Sequence, residues 1–211
     1  MEIHPPTKPI ESVKDFFLHL FMITLGVLIA LGLEQTVEAW RHHELGVQAR
    51  ENILNEVRDN KRRIDGARRA VAKNAERRQS SLNVVREYLA HQKLAHAEMS
   101  ILINGATLSS TSWTTASATG ALGYLGYADA KRFATAYYIQ ALLEHAQDDE
   151  YQTAIRAFAL LKYSPGGPAT LSDEQLRSVE RDVLDYLGQL TFWQQLAAPL
   201  SAEYESVLKA K

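Results

Sequence analysis

FFLHLFMITLGVLIALGL, residues 16–33, decides how the chain is read. Only His19 and Thr24 carry polar side chains in this run, and none of its residues is charged. As a helix it extends about 27 Å at ~1.5 Å per residue, close to the ~30 Å hydrocarbon core of a bilayer. It is apolar all round, with no polar stripe of the kind a surface helix needs. A signal-peptide core usually holds ~7–15 apolar residues and meets a polar approach to its cleavage site. Here the small-x-small triplet Ala30-Leu31-Gly32 lies inside the apolar run. The segment therefore reads as a retained transmembrane helix. Phe16, Phe17 and Phe21 mark one interface and Trp40 the other.

On either side of this span the chain divides into a tail (1–15), the transmembrane helix (16–33), a long extramembrane helical arm (34–100) and a C-terminal helical region completing a bundle (101–211). The tail holds Pro5, Pro6 and Pro9 and reads as irregular. The expected fold class is all-α: a single N-terminal transmembrane helix continuing into a long helix packed in a helical bundle. The 211 residues leave enough chain beyond the span for one domain with a core. Net charge is −2, which gives no global attraction to nucleic acid. There is no cysteine, so disulfides, thiolate nucleophiles and Cys-based zinc sites are excluded. Positive residues flanking the span are nearly balanced: Lys8 and Lys14 on one side, Arg41 and Arg50 on the other. The reading taken is a single-span protein with its N-terminus on the cytoplasmic side and its body on the opposite side, the periplasm if the membrane is a bacterial inner membrane.

No helix breaker follows the span, so the helix is expected to leave the membrane and continue unbroken to about Ala90. An apolar stripe of alternating three and four spacing runs along it. Val57, Ile64, Val71 and Val85 hold one position, interrupted by Arg78. Leu54, Ala75, Leu82 and Leu89 hold the partner position, interrupted by Lys61 and Arg68. Residues 56–87 carry ten Lys or Arg against five acids, so this segment is +5 while the remainder is −7. The positive face suits solvent, an acidic partner or anionic lipid. Aromatic residues do not interleave with it, which removes base stacking and disfavours nucleic acid.

Residues 91–100 read as the end of the arm. A Ser/Thr/Ala/Gly-rich stretch with Trp113 at its centre follows, with a short helix expected over 112–122. Gly120, Gly123 and Gly126 then form a turn region with Tyr124 and Tyr127 interleaved. Residues 128–163 read as a helix with Phe133, Tyr137 and Ala141 on one face, Leu142 beside them, and a polar interruption at 147–150. Ser164-Pro165-Gly166-Gly167-Pro168 ends it. Ser172-Asp173-Glu174-Gln175 matches a capping box. The last helix carries Leu176, Val179, Val183, Leu187 and Leu190 on one face, and Pro199 is expected to kink or split it. No stretch alternates as a strand does.

Sites of chemistry are sparse. Glu-x-x-His pairs, which di-iron bundles use, do not occur. Glu38 with His42, and Glu87 with His91, stand four apart and read as surface ion pairs. His91 and His96 do not share a face. There is no H-E-x-x-H, Walker loop or Gly-x-Ser-x-Gly. Catalytic, cofactor-binding and metal-binding residues are accordingly expected to be none, and the chain is expected not to be an enzyme.

The pattern Leu25-Gly26-Val27-Leu28-Ile29-Ala30-Leu31, then Glu34, Glu38 and Trp40 and a long charged helix, resembles a widespread group of bacterial single-span membrane proteins. Ser112-Trp113, Thr119-Gly120-Ala121-Leu122 and residues 137–140 are similar to that group as well. The resemblance implies topology and bacterial origin, and carries no activity with it.

The expected function is a non-enzymatic, membrane-anchored interaction protein, an accessory or scaffold subunit whose partners are the lipid bilayer and other membrane subunits or copies of itself. His19, Gly26 and Ala30 share a face of the span, where Gly26 and Ala30 form a small-xxx-small pair that lets a second helix approach. The seam of Leu54, Val57, Ile64, Val71, Leu82, Val85 and Leu89 is the other expected contact surface. The alternative is a sensor or ligand-binding module with an aromatic pocket built from Trp113, Tyr124, Tyr127 and Tyr137.

Overall fold

A computed structural model describes residues 13–90, 105–163 and 167–210. The proline-containing tail over 1–12, the expected break at 91–100 and Ser164-Pro165-Gly166 lie outside the described residues. Among the described residues there are five α-helices, two short 3-10 turns and no strand. They are α1 (Val13–Lys73), α2 (Ala75–Leu89), α3 (Thr111–Ala118), α4 (Tyr127–Tyr163) and α5 (Asp173–Lys209), with 3-10 turns at Ala121–Tyr124 and Gly167–Thr170. The fold class is all-α.

The helix that begins in the apolar run continues without interruption through Trp40 and on to Lys73. It does not reach Ala90 as one piece. Asn74, at φ −98° and ψ 7°, leaves the helical region, and α2 starts afresh at Ala75. Asparagine tolerates this bridge conformation because its short amide competes with helical hydrogen bonding.

Three long helices face one another through heptad-spaced seams. On α5 the seam residues Leu176, Val179, Val183, Tyr186, Leu190, Trp193, Ala197, Leu200, Tyr204 and Val207 alternate by three and four, with Ser201 buried beside them. On α4 the corresponding residues are Phe133, Ala136, Gln140, Leu143, Gln147, Glu150 and Ala154. On α1 they are Ile53, Val57, Asn60, Ile64, Ala67 and Val71. The expected register on α1 is thus half right. Val57, Ile64 and Val71 are fully buried. Their partner position is Ile53, Asn60 and Ala67, one residue before the expected Leu54, Lys61 and Arg68. Leu54 is only partly buried and Ala75 is exposed. A polar side chain at a core position, Asn60, is what displaced the reading. Leu82 and Val85, with Leu89 partly covered, form a second small cluster with Val179 and Val183.

Cross-links fix the directions. Arg50 meets Asp129, Glu56 meets Tyr137 and Asn60 meets Gln140, so α1 and α4 run the same way. Lys61 approaches Glu205, Asp65 meets Ser201 and Arg86 meets Glu180, so α5 runs against α1 and α2.

Several local expectations differ in detail. α4 is continuous across 147–150, because Gln147 and Glu150 occupy its inner face. On the same helix Phe133 and Tyr137 are buried, whereas Ala141 and Leu142 are exposed. Pro199 lies within α5, which runs on to Lys209. It sits on the exposed side, where water can satisfy the carbonyl one turn back. The capping box at α5 is present: the Ser172 hydroxyl accepts from the Gln175 N–H at 3.3 Å, and the Ser172 N–H donates to Gln175 Oε1 at 2.9 Å. Gly120 holds φ at 75°, closing α3 with the left-handed residue that favours glycine.

The two glycines in the middle of α1 have different reasons to be there. A Cβ at Gly46 would stand 2.7 Å from the backbone oxygen of Tyr124, so glycine lets the 121–124 turn lie directly on the helix. A Cβ at Gly66 would meet nothing within 4 Å. Gly66→Ala should therefore stabilise by up to ~1 kcal/mol through helix propensity alone, whereas Gly46→Ala should lower the melting temperature despite the same propensity gain. Thermal unfolding of the two variants side by side checks this. A rise for both would show that the turn does not press on α1.

Candidate functional site

The most distinctive surface is the apolar run itself. Its 18-residue window has a mean hydropathy of 2.4 and is 0 % buried among the described residues. Both of its polar side chains are satisfied internally. Thr24 Oγ1 donates to the Leu20 carbonyl at 2.8 Å, and His19 Nδ1 lies 2.8 Å from the Asp15 carbonyl. A helix with its backbone paired and its polar side chains bonded back onto it leaves nothing that needs water. His19, Gly26 and Ala30 are all exposed, and a Cβ at Gly26 would meet nothing within 4 Å. The small-residue face is therefore open to a second helix, and no element among the described residues covers it.

The seam is placed differently. Val57, Ile64, Val71, Leu82 and Val85 are buried against the chain's own α4 and α5, with Leu54 and Leu89 packed at the edges. This corrects its expected use: these residues hold the body together and are not available to a partner.

The aromatics divide. Trp113 and Tyr137 stack at 5.2 Å with an interplanar angle of 17°. Tyr124 instead stacks on His42 at 4.2 Å and 13°, and Tyr127 is 83 % exposed. The four do not line one pocket. An open groove beside the Trp113–Tyr137 pair is lined also by Tyr138, Gln140 and Glu144, without Tyr124 or Tyr127. His42 lies 3.8 Å from Glu38, the expected ion-pair partner.

Beneath the stacked pair lies a polar centre that local sequence patterns did not reveal. The Glu56 carboxylate, on α1, accepts from Tyr137 OH at 2.5 Å, Ser109 Oγ at 2.7 Å, the Ser112 N–H at 2.9 Å and the Trp113 N–H at 3.4 Å. It thereby caps the first turn of α3, where free N–H groups favour a negative charge. One turn on, Asn60 clasps the backbone of Ser109. Its Nδ2 donates to the Ser109 carbonyl at 2.6 Å, and its Oδ1 accepts the Ser109 N–H at 2.9 Å. Asn60 also donates to Gln140 Oε1 at 3.1 Å, which accepts from Tyr204 OH at 2.6 Å. Asn60, Gln140 and Tyr204 are buried core residues of α1, α4 and α5. One polar residue from each long helix thus meets in a single hydrogen-bonded layer. Such a layer fixes register, because sliding any helix would strand buried polar groups. The one sequence signal was Asn60 itself, a polar residue at heptad spacing from Ile53 and Ala67.

Burial pushes the Glu56 carboxyl upward, but the hydrogen bonds from Tyr137, Ser112, Ser109 and Trp113 outweigh it and hold its pKa below the usual value. The Tyr137 phenol is pushed well up by burial and by its bond to Glu56, so it remains the donor. Among the described residues no group of three or more His, Asp or Glu is placed to hold a metal ion. No family model, curated protein or solved structure matches the chain.

A depressed carboxyl pKa contributes stability that is fully present above the unfolded value and is lost as pH falls through the folded one. Glu56→Gln should cost about 1.5–3 kcal/mol at neutral pH, the usual scale for hydrogen bonds to a charged group. The gap to the parent should narrow as pH falls below ~4.5, the range where a free glutamate titrates. Chemical denaturation at pH 7 and pH 3 measures it. An equal gap at both would mean that the ionised carboxylate is not what caps α3.

Proposed function

We propose that the protein is a non-enzymatic, single-span membrane protein whose helical body serves as an accessory or scaffold subunit, meeting other membrane proteins or copies of itself. The carrying observation is the apolar run at the start of α1, which none of the described residues outside it covers although it joins the body without a break. Exposing so much apolar surface to water is costly, at roughly 25 cal/mol per Å², and a bilayer removes that cost. The resemblance of residues 16–40 to bacterial single-span proteins supports the same placement in the inner membrane, and Lys8 and Lys14 before the span favour a body on the periplasmic side. The Gly26 and Ala30 face is the intramembrane contact surface in this reading, and nucleic acid is not a partner. The ligand-binding alternative has less support, because Tyr124 and Tyr127 stand away from the Trp113–Tyr137 groove.

Alkaline carbonate extraction of membranes tests the anchor. The full-length 23.6 kDa chain should stay in the pellet. Release of that chain into the supernatant, or recovery of a soluble species cut after the apolar run, would contradict it. In mild detergent, Gly26→Leu should shift the assembled species toward monomer, since a bulky side chain holds helix backbones apart; an unchanged size distribution would remove this face from the account.

A further inference from the structure

The outward faces of α1 and α4 carry matching stripes. On α1, Glu51, Arg58, Arg62 and Arg69 recur at spacings of seven, four and seven on the side turned away from the seam, and all four are exposed. On α4, Lys131, Tyr138, Leu142 and Asp149 follow the same spacings and are likewise exposed. The cross-links between the two helices join residues 79, 81 and 80 apart, so residue n of α1 lies level with residue n+80 of α4. The stripes therefore stand level for level: Glu51 with Lys131, Arg58 with Tyr138, Arg62 with Leu142 and Arg69 with Asp149. Charge reverses at the lower and upper levels. Between them guanidinium groups stand level with a phenol ring that is 65 % exposed and a leucine that is 40 % exposed, surfaces on which arginine stacks and rests its aliphatic stem.

Within one chain these stripes point away from the core and not at each other. We propose that the occupant of each is a second copy of this chain, the outer face of α1 in one copy lying along the outer face of α4 in its neighbour. The proposal rests on the membrane-anchored reading. A shared bilayer holds all copies parallel and at one height, so equal levels meet, and α1 and α4 run in the same direction as side-by-side parallel packing requires. Anionic lipid is a poor alternative occupant. Arg58 stands about 37 Å beyond Leu33 along a helix of ~1.5 Å rise, well past the ~5–8 Å headgroup layer. Because the contact joins two different faces, it repeats from copy to copy and builds a ring or row in the membrane plane.

The absence of cysteine makes the test clean. Two differently tagged full-length chains, one Arg69→Cys and one Asp149→Cys, are co-expressed and treated in membranes with a short bismaleimide. A mixed dimer is expected, with little product from Arg69→Cys paired with Asp185→Cys, a site on α5. Scored through a cysteine pair at Arg62 and Leu142, the added reversal Arg69→Asp should cut the yield about fivefold, the ratio that ~1 kcal/mol gives. Asp149→Arg in the neighbour should restore it. Equal yields for both pairings, or indifference to the reversal, would overturn the proposal. Carbonate extraction of the same membranes separates the two failures: a retained chain without the mixed dimer defeats the contact alone, whereas an extracted chain defeats the anchor and the contact with it.

Discussion

A helix of 61 residues can be held by its own hydrogen bonds, but every apolar part of it left in water costs roughly 25 cal/mol per Å² until something covers it. That constraint divides α1. From Ile53 to Val71 the cover comes chiefly from α5 and from the segment carrying Ala106, Ala116 and Ala121, with Phe133, Ala136 and Tyr137 of α4 in the same core. Over residues 16–33 the described residues supply no cover at all. One continuous backbone thus has two different parts, one covered by its own helices and one, long and apolar enough to cross a membrane, left exposed. The proposed tether and its rigid continuation into the body rest on this division.

Inside the body, specificity comes from polar residues placed at apolar positions. Ile, Val and Leu at heptad spacing define a face but tolerate sliding by a whole repeat. Asn60, Gln140 and Tyr204 do not, because each would lose a buried partner. Asn60 extends the same control to the 105–110 segment by pairing with the Ser109 backbone, and Glu56 seats α3 by accepting its first N–H groups. The Asp65–Ser201 bond and the Arg50–Asp129 pair add fixed points above and below. The net worth of such buried polar contacts is small against hydrophobic burial, yet they decide which of several similar packings is adopted.

Much of the architecture was legible in the sequence because it is written in local period. The uncharged run at 16–33, the capping box at Ser172 and most of the first half of the α5 seam depend on neighbours within a few residues; at the fourth seam position Tyr186 is buried and the expected Leu187 only partly so. Where the period was read through hydropathy alone, it slipped. Asn60 is polar and buried, so the α1 partner position was placed one residue late; Gln147 and Glu150 are polar and inward, so α4 looked interrupted. Contacts between distant segments left no local trace. Glu56 finds its donors at Ser109, Ser112, Trp113 and Tyr137, and Tyr124 finds His42 rather than Trp113. Gly46 looked like a weak point in a helix, and only the turn lying on it explains its place.

The central claim is that residues 16–33 reside in hydrocarbon while the helix they belong to continues into water. A nitroxide on Leu28→Cys, compared with one on Arg62→Cys, tests this by collision with oxygen and with a water-soluble nickel chelate in reconstituted vesicles. The account predicts that the label at 28 relaxes with oxygen and is shielded from nickel, and that the label at 62 does the reverse. Equal access of the nickel chelate to both positions would contradict it.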